Sequence, residues 1–346
     1  MSDFLLLGLA GLCLWGLRPV KPFGKELNRE ALSPQTTTSL RGAMALLVIF
    51  VHVAQMNPAG PVFAVVGKMG NMAVSVFFFL SGYGLQKQHM TREDYRKGFL
   101  RKRILFVALP YVVVTSLYWL YYRWLGMGYR LQYVLQRLVS GNPLASFSWF
   151  ILAIMGFYFA FWLMMLLCGK NHKAMLRCGV CWFVLHTALC LLLKYDFWWY
   201  VSSFSAVAGM FWAVNEEKLQ SLLAKRYFLV AAGTLVALVL FLLLDKLCGV
   251  PYLNTALKAV AVVLFALLLA VLLHKFRFGN PVLYYLGQMS MELYLLHGMG
   301  MMLIRNPVIY IADPLLYCAL VVPVTVLLAS IVHIAFKGLP KKNPTL

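Results

Sequence analysis

Long apolar runs separated by short, mostly basic connections organise the whole chain. An apolar stretch at 4–17 is followed by ten more, at 40–57, 62–85, 104–122, 147–168, 178–194, 200–214, 227–244, 255–273, 280–303 and 314–335. Each of these ten is close to the ~20 helical residues that cross a hydrocarbon core ~30 Å thick. No ten-residue alternating strands occur, and an open sheet edge leaves backbone groups unpaired in lipid, so the pattern predicts helices. The expected fold is an all-α polytopic membrane protein with about ten transmembrane helices in one bundle. Residues 4–17 read as an uncleaved extra helix or interfacial anchor, because no basic residue precedes them and no small-x-small site follows. The predicted organisation is an apolar segment and basic linker at 1–39, a membrane domain at 40–336 and a basic tail at 337–346.

Composition agrees with this. Sixty-two per cent of residues are apolar, 12% are charged and mean hydropathy is +0.79. Charged residues make up about a quarter of a soluble domain, so this chain lacks the polar surface a soluble globule needs. The net charge of +20 would suggest nucleic acid in a soluble protein. Here the charges lie in loops, where topology and anionic headgroups account for them, and no nucleic-acid partner is expected. Of 31 Lys and Arg residues, 23 fall in the connections on one side, which is predicted to be the cytoplasmic side and to hold the C-terminus. The eight on the other side are Lys68, Arg123, Arg130, Arg137, Lys194, Lys246, Lys258 and Arg305. The connection at 123–146 carries Arg130, Leu131, Val134, Leu135 and Leu138, the pattern of a short amphipathic helix at the interface or of an ordinary linker. Seven cysteines, an odd number set mostly in apolar runs, argue against a disulfide framework. Cys178-Gly-Val-Cys181 opens a hydrophobic helix and reads as buried thiols rather than a metal or redox site.

Three places carry candidate chemistry. Arg41 and His52 are eleven residues apart. Eleven residues advance a helix by ~1100° and ~16 Å, so both side chains share a face, one near the boundary and one near the midplane. Thr36, Thr37, Thr38 and Ser39 offer the N-cap of that helix. An ionisable group at midplane depth is costly and points to function; the alternative is a neutral imidazole satisfied by a neighbouring helix and an arginine marking the boundary. Ser290, Tyr294 and His297 follow an i, i+4, i+7 pattern, and Glu292 between them is the one carboxylate placed inside a span. Arg41, His52 or His297 could partner it, in a site or in a polar cluster that glues helices together. The third place is the basic run Arg92, Arg96, Lys97, Arg101, Lys102 and Arg103, a topology marker or an attractor of an anionic cytosolic ligand. Phe77, Phe78, Phe79 and Ser81 read as packing, and Trp198, Trp199 and Tyr200 as an aromatic belt that could also stack on sugars.

Four stretches, in order, resemble the acyltransferase 3 family of integral-membrane O-acyltransferases. They are Leu40-Arg41-Gly42 through His52, Val76-Phe77-Phe78-Phe79-Leu80-Ser81-Gly82-Tyr83, Ser148-Trp149-Phe150-Ile151-Leu152 with Tyr158, and Leu286-Gly287 through Ser290, Tyr294 and His297. The resemblance implies transfer of an acyl group, usually acetyl, from cytoplasmic acyl-CoA to a hydroxyl of an extracytoplasmic glycan or lipid-linked sugar. It implies that Arg41 and His52 are the essential pair; Glu292 and His297, from their place in the sequence, are the further catalytic candidates. Arg101, Lys102 and Arg103 would meet the acyl-CoA, and Trp149, Tyr294 and Ser290 the acceptor. Where the family carries a second arginine three residues after the position of Arg103, this chain has Phe106. No metal is expected, and the location implied is the plasma membrane.

Within that reading, His52 could take the proton of a sugar hydroxyl or carry the acyl group itself. Arg41 could hold donor phosphates or orient a carbonyl. The alternative class is a proton-coupled transporter using His52, Glu292 and His297 as a relay. Against it, the sequence shows no inverted repeat and no paired broken helices. A catalytically silent scaffold of the same fold is the third reading.

Overall fold

The computed structural model describes residues 3–21, 24, 26–56 and 60–337. The chain opens with α1 (Asp3–Leu14), strand β1 (Arg18–Pro19), α2 (Pro34–Met56), α3 (Pro61–Val66), α4 (Gly70–Thr91), α5 (Phe99–Trp124) and α6 (Leu131–Val139). It continues with α7 (Trp149–Cys168), α8 (His172–Leu192), α9 (Ser205–Val214), α10 (Glu216–Leu247), α11 (Pro251–Leu273), strand β2 (Phe276–Arg277), α12 (Pro281–Gln288), α13 (Ser290–Ile304) and α14 (Pro314–Lys337). The protein is an all-α membrane bundle apart from the two-residue antiparallel pair β1/β2, which the apolar pattern gave no sign of. The basic tail expected at 337–346 lies, from residue 338, outside the described residues.

Seven described helices are long and apolar enough to cross a membrane: α2, α5, α7, α8, α10, α11 and α14. The remaining expected spans are broken or polar. The run at 62–85 divides into α3 and α4, and α4 carries Asn71, Ser75, Gln86, Lys87 and His89. The run at 280–303 breaks at Met289 into α12 and α13. Only Ser205–Val214 of the run at 200–214 is helical. This ten-residue α9 nevertheless travels far. At one end Ser202 Oγ donates to the Asn71 carbonyl at 2.9 Å; at the other, Glu216 accepts from Tyr83 Oη at 2.9 Å and pairs with Lys87. Residues 202–216 therefore run parallel to α4 along most of its length. The expected segment at 4–17 forms α1, whose apolar part, Leu5–Leu14, is too short to span alone at ~1.5 Å per residue.

Helix α2 is the axis of the bundle. It starts earlier than the threonine run suggested. Ser33 Oγ caps the Thr36 amide at 3.3 Å and Pro34 occupies the first turn, while Thr37 Oγ1 bonds back to the Ser33 carbonyl at 2.9 Å. Threonines inside the first turn can satisfy such carbonyls without ending the helix. Small residues let neighbours come close. A Cβ on Gly42 would lie 2.1 Å from the Leu283 carbonyl oxygen, so α12 crosses α2 in direct backbone contact. In the same way α4 and α9 meet at Gly82 and Gly209, where a Cβ would lie 2.0 Å from the carbonyl oxygens of Ala206 and Phe79. In lipid, where burying apolar surface brings little gain, such close approach is the main source of helix association.

The N-terminal linker is tied to the bundle rather than trailing from it. Buried Lys275 donates to the carbonyls of Lys21, Gly24 and Glu26 at 3.2, 2.6 and 2.8 Å, which uses all three ammonium donors. Asn28 Nδ2 donates to the Leu273 carbonyl at 3.0 Å, and Asn280 Nδ2 to that of Leu12 at 2.8 Å. Leu12 thus meets the cap of α12, while Lys21, Gly24, Glu26 and Asn28 meet the chain at or just after the end of α11.

The α4/α9 crossing gives a direct test. Gly82→Ala or Gly209→Ala forces backbone apart and should cost about 2 kcal/mol or more. The melting temperature of the detergent-solubilised protein should fall by several degrees, while Gly84→Ala, whose Cβ meets nothing within 4 Å, leaves it unchanged or raised. Equal melting of all three variants would contradict the packing described.

Candidate functional site

From Ser39 to Ala54 every residue of α2 is buried except two, and the two are Arg41 and His52. A helix wrapped on all sides leaves a polar side chain partly open only where it faces a cavity. His52 faces one of about 990 Å³, lined also by Gln55, Phe147, Trp149 and Tyr294.

The hydrogen bonds around His52 fix its ring. Gln55 Nε2 donates to the Gly67 carbonyl at 2.8 Å. That orients Gln55 Oε1 as the acceptor, 2.9 Å from His52 Nδ1, so Nδ1–H donates. Nε2 then keeps its lone pair. An imidazole held by a fixed acceptor on one nitrogen and free on the other is prepared as a base or nucleophile.

Three rings pack together at this point. Phe147 stacks on His52 with centroids 3.9 Å apart, and His297 lies 4.9 Å from His52 and 5.2 Å from Phe147. Ring nitrogens hydrogen-bond in the ring plane, so the nearly parallel His52 and His297, 17° apart, cannot bond to one another. His297 Nδ1 donates instead to the Tyr294 carbonyl at 2.6 Å, and its Nε2 is buried without a partner. Phe147 has φ +63°, a conformation a bulky residue adopts only when its surroundings impose it. Tyr294 Oη imposes it by donating to the Phe147 carbonyl at 2.7 Å. Tyr294 therefore acts through Phe147, setting the ring that covers His52.

At the other end of the α2 face, Arg41 lies within electrostatic reach of Tyr158 and Arg103. Arg103 is held by Gln88 Oε1 at 3.3 Å and Tyr95 Oη at 3.1 Å. Two guanidinium groups within electrostatic reach repel, and an anion bound near both would relieve that repulsion, so this end suits phosphate or carboxylate. Arg101 and Lys102 are exposed. Phe106, at the position of the family's second arginine, is 69% exposed and adds no cation.

Glu292 sits elsewhere. Its Oε1 meets His333 Nδ1 of α14 at 2.9 Å, not Arg41, His52 or His297. The reason is periodicity: two residues turn a helix by 200°, so Glu292 points away from the face that carries Ser290 and Tyr294. Among the described residues no side-chain hydrogen bond joins His52, Glu292 and His297, each of which has a different partner. Ser290 is half-buried and does not line the cavity. The structure thus brings together His52, His297, Tyr294 and Trp149 at one end and Arg41 with Arg103 at the other. It adds Gln55, Phe147 and His333. Gln55 was detectable at i+3 from His52 on the same helix, whereas Phe147 and His333 are brought in only by tertiary packing.

A sequence model of a family described as an acyltransferase domain matches residues 38–334, nearly the whole chain. Comparison with curated proteins and with solved structures returned no match.

The Glu292–His333 contact predicts a structural role. Glu292→Leu leaves His333 part-buried and unpaired, and His333→Leu leaves Glu292 buried and unpaired, at a cost of about 1–3 kcal/mol. The double variant should recover most of that loss in thermal melting. Additive losses would show the two residues to be uncoupled.

Proposed function

Because the chain belongs to the acyltransferase 3 family, we propose that it is a membrane O-acyltransferase working between two half-sites. Acyl-CoA, the donor and only cofactor-like substrate, binds from the cytoplasm with its phosphates at Arg41 and Arg103. The acyl group, acetyl by resemblance to the family, reaches His52. The acceptor, a glycan or lipid-linked sugar, enters the 990 Å³ cavity from outside. The enzyme sits in the plasma membrane with its C-terminus in the cytoplasm, the orientation that the 23 basic residues on one side support. The observation that carries this reading is that Arg41 and His52 alone, between Ser39 and Ala54, keep access to open space.

The chemistry then follows from positions. About 16 Å of helix separates the pair, so Arg41 cannot touch a carbonyl held at His52. Its role narrows to the distant phosphates, which the extended pantetheine arm keeps well away from the thioester. His52 Nε2 takes the proton of the acceptor hydroxyl as the oxygen attacks the thioester carbonyl. The tetrahedral intermediate collapses, the C–S bond breaks, and the leaving thiolate recovers the proton from the imidazolium. If Nε2 attacks first, the acyl group rests on His52 and the hydroxyl then displaces it, with the same overall balance. Gln55 holds the tautomer that either route needs.

The test uses inverted membrane vesicles supplied with radiolabelled acetyl-CoA, following label into protein, lipid-linked sugar and polymer. His52→Ala, present at the wild-type level, should lower label in sugar by about a hundredfold or more. Gln55→Leu should lower it about tenfold through kcat, whereas Arg41→Gln should act mainly on the KM for acetyl-CoA. Full sugar acetylation by His52→Ala would overturn the proposal.

A further inference from the structure

The face of the bundle with the fewer basic residues carries eight of them, and half line one cavity. Lys68 comes from the turn after α3, Arg137 from α6, Lys246 from α10 and Lys258 from α11. Positive residues are depleted from translocated loops, so topology does not explain why those that remain converge from four elements on one space. One carboxylate, Asp245, shares the cavity, and it is 3.8 Å from Lys258. Lys258 also sits 4.6 Å over the Phe197 ring, and Arg137 gives one donor to the Asn142 carbonyl at 2.7 Å. The side chains of Lys68 and Lys246 meet no acid among the described residues. Four cations around one concavity repel each other and focus a positive field on whatever enters. Phe197, Trp198 and Trp149 line the same cavity. Flat aromatic faces beside cations are the chemistry of a charged sugar, the ring lying on the aromatic and its anionic group meeting the ammonium.

We infer that the acceptor is an anionic saccharide, one whose acylated sugar stands next to a phosphate or carboxylate. This rests on the acyl-acceptor reading of the cavity and names the class of acceptor it admits. A uronate-containing polymer and a sugar carried on a lipid diphosphate both present that chemistry.

The test is binding by the full chain, purified into nanodiscs of zwitterionic phosphatidylcholine, with no acyl donor present. Three fluorescent probes are compared: an oligogalacturonate, an N-acetylglucosamine diphosphate on a short prenyl chain, and a neutral malto-oligosaccharide. At least one anionic probe should bind about tenfold or more tighter than the neutral one, a difference of about 1.4 kcal/mol. The double variant Lys68→Gln/Lys246→Gln should lose that preference, while Arg123→Gln, an exposed cation outside the cavity, keeps it. The probe that binds tells polymer from lipid-linked sugar. Equal binding of charged and neutral probes, or no binding of any, would overturn the inference, as would equal loss in Arg123→Gln. It would also fall if phosphatidylglycerol copurified with the wild type but not with the double variant and no sugar probe bound, because the cavity would then be a headgroup site. Binding requires neither His52 chemistry nor acyl-CoA. A charged-probe preference without His52-dependent transfer would therefore defeat the acyltransferase mechanism and leave standing the cavity's selection of an anionic saccharide, but not its role as acceptor.

Discussion

Eleven residues of one buried helix set the terms for everything else in this protein. A helical turn is 3.6 residues, so positions 41 and 52 must share a face, and 1.5 Å per residue must hold them ~16 Å apart. A bilayer penalises both side chains at those depths unless each has open polar space or a partner. The surrounding helices answer by burying every other position from Ser39 to Ala54 and leaving room at those two. The site is therefore split by construction. One half suits anions, the other suits proton transfer, and the helix between them fixes their spacing.

The rest of the bundle serves that axis. Backbone contact at Gly42 locks α12 against α2, and the break at Met289 lets α13 leave at the angle that brings Tyr294 and His297 to His52. Tyr294 holds Phe147 in its left-handed conformation, and Phe147 stacks on His52. A continuous helix over 280–303 would keep the regular side-chain register that the sequence pattern assumes. The broken one re-aims its second half. Strain at Phe147, of order 1–3 kcal/mol, is offset by a hydrogen bond and by ring packing over the base.

Helical class, the placement of Arg41 and His52 on one face, and the family were all legible in the sequence, because hydropathy and the 3.6-residue period are local signals. Breaks were not. Met289 is neither proline nor glycine, and α9 is short because its flanking turn, with buried Ser202 and Ser203, does part of the crossing. Glu292 looked like a site carboxylate because it lies between Ser290 and Tyr294 in sequence; a 200° turn sends it to His333 instead. Phe147 gave no local signal, since its role comes from a backbone conformation that Tyr294 enforces from another helix. The outer cations were countable, but their convergence on one cavity depends on four elements meeting in space.

The claim on which the account stands is that donor and acceptor reach His52 from opposite faces. It is tested most directly in sealed proteoliposomes whose orientation is scored by protease access to a C-terminal tag. Acyl-CoA and a competent acceptor are supplied on chosen sides. The account predicts acylated acceptor only when acyl-CoA is on the face of the C-terminus and the acceptor is on the other. Product formed with both substrates confined to one face, and none across the membrane, would contradict it.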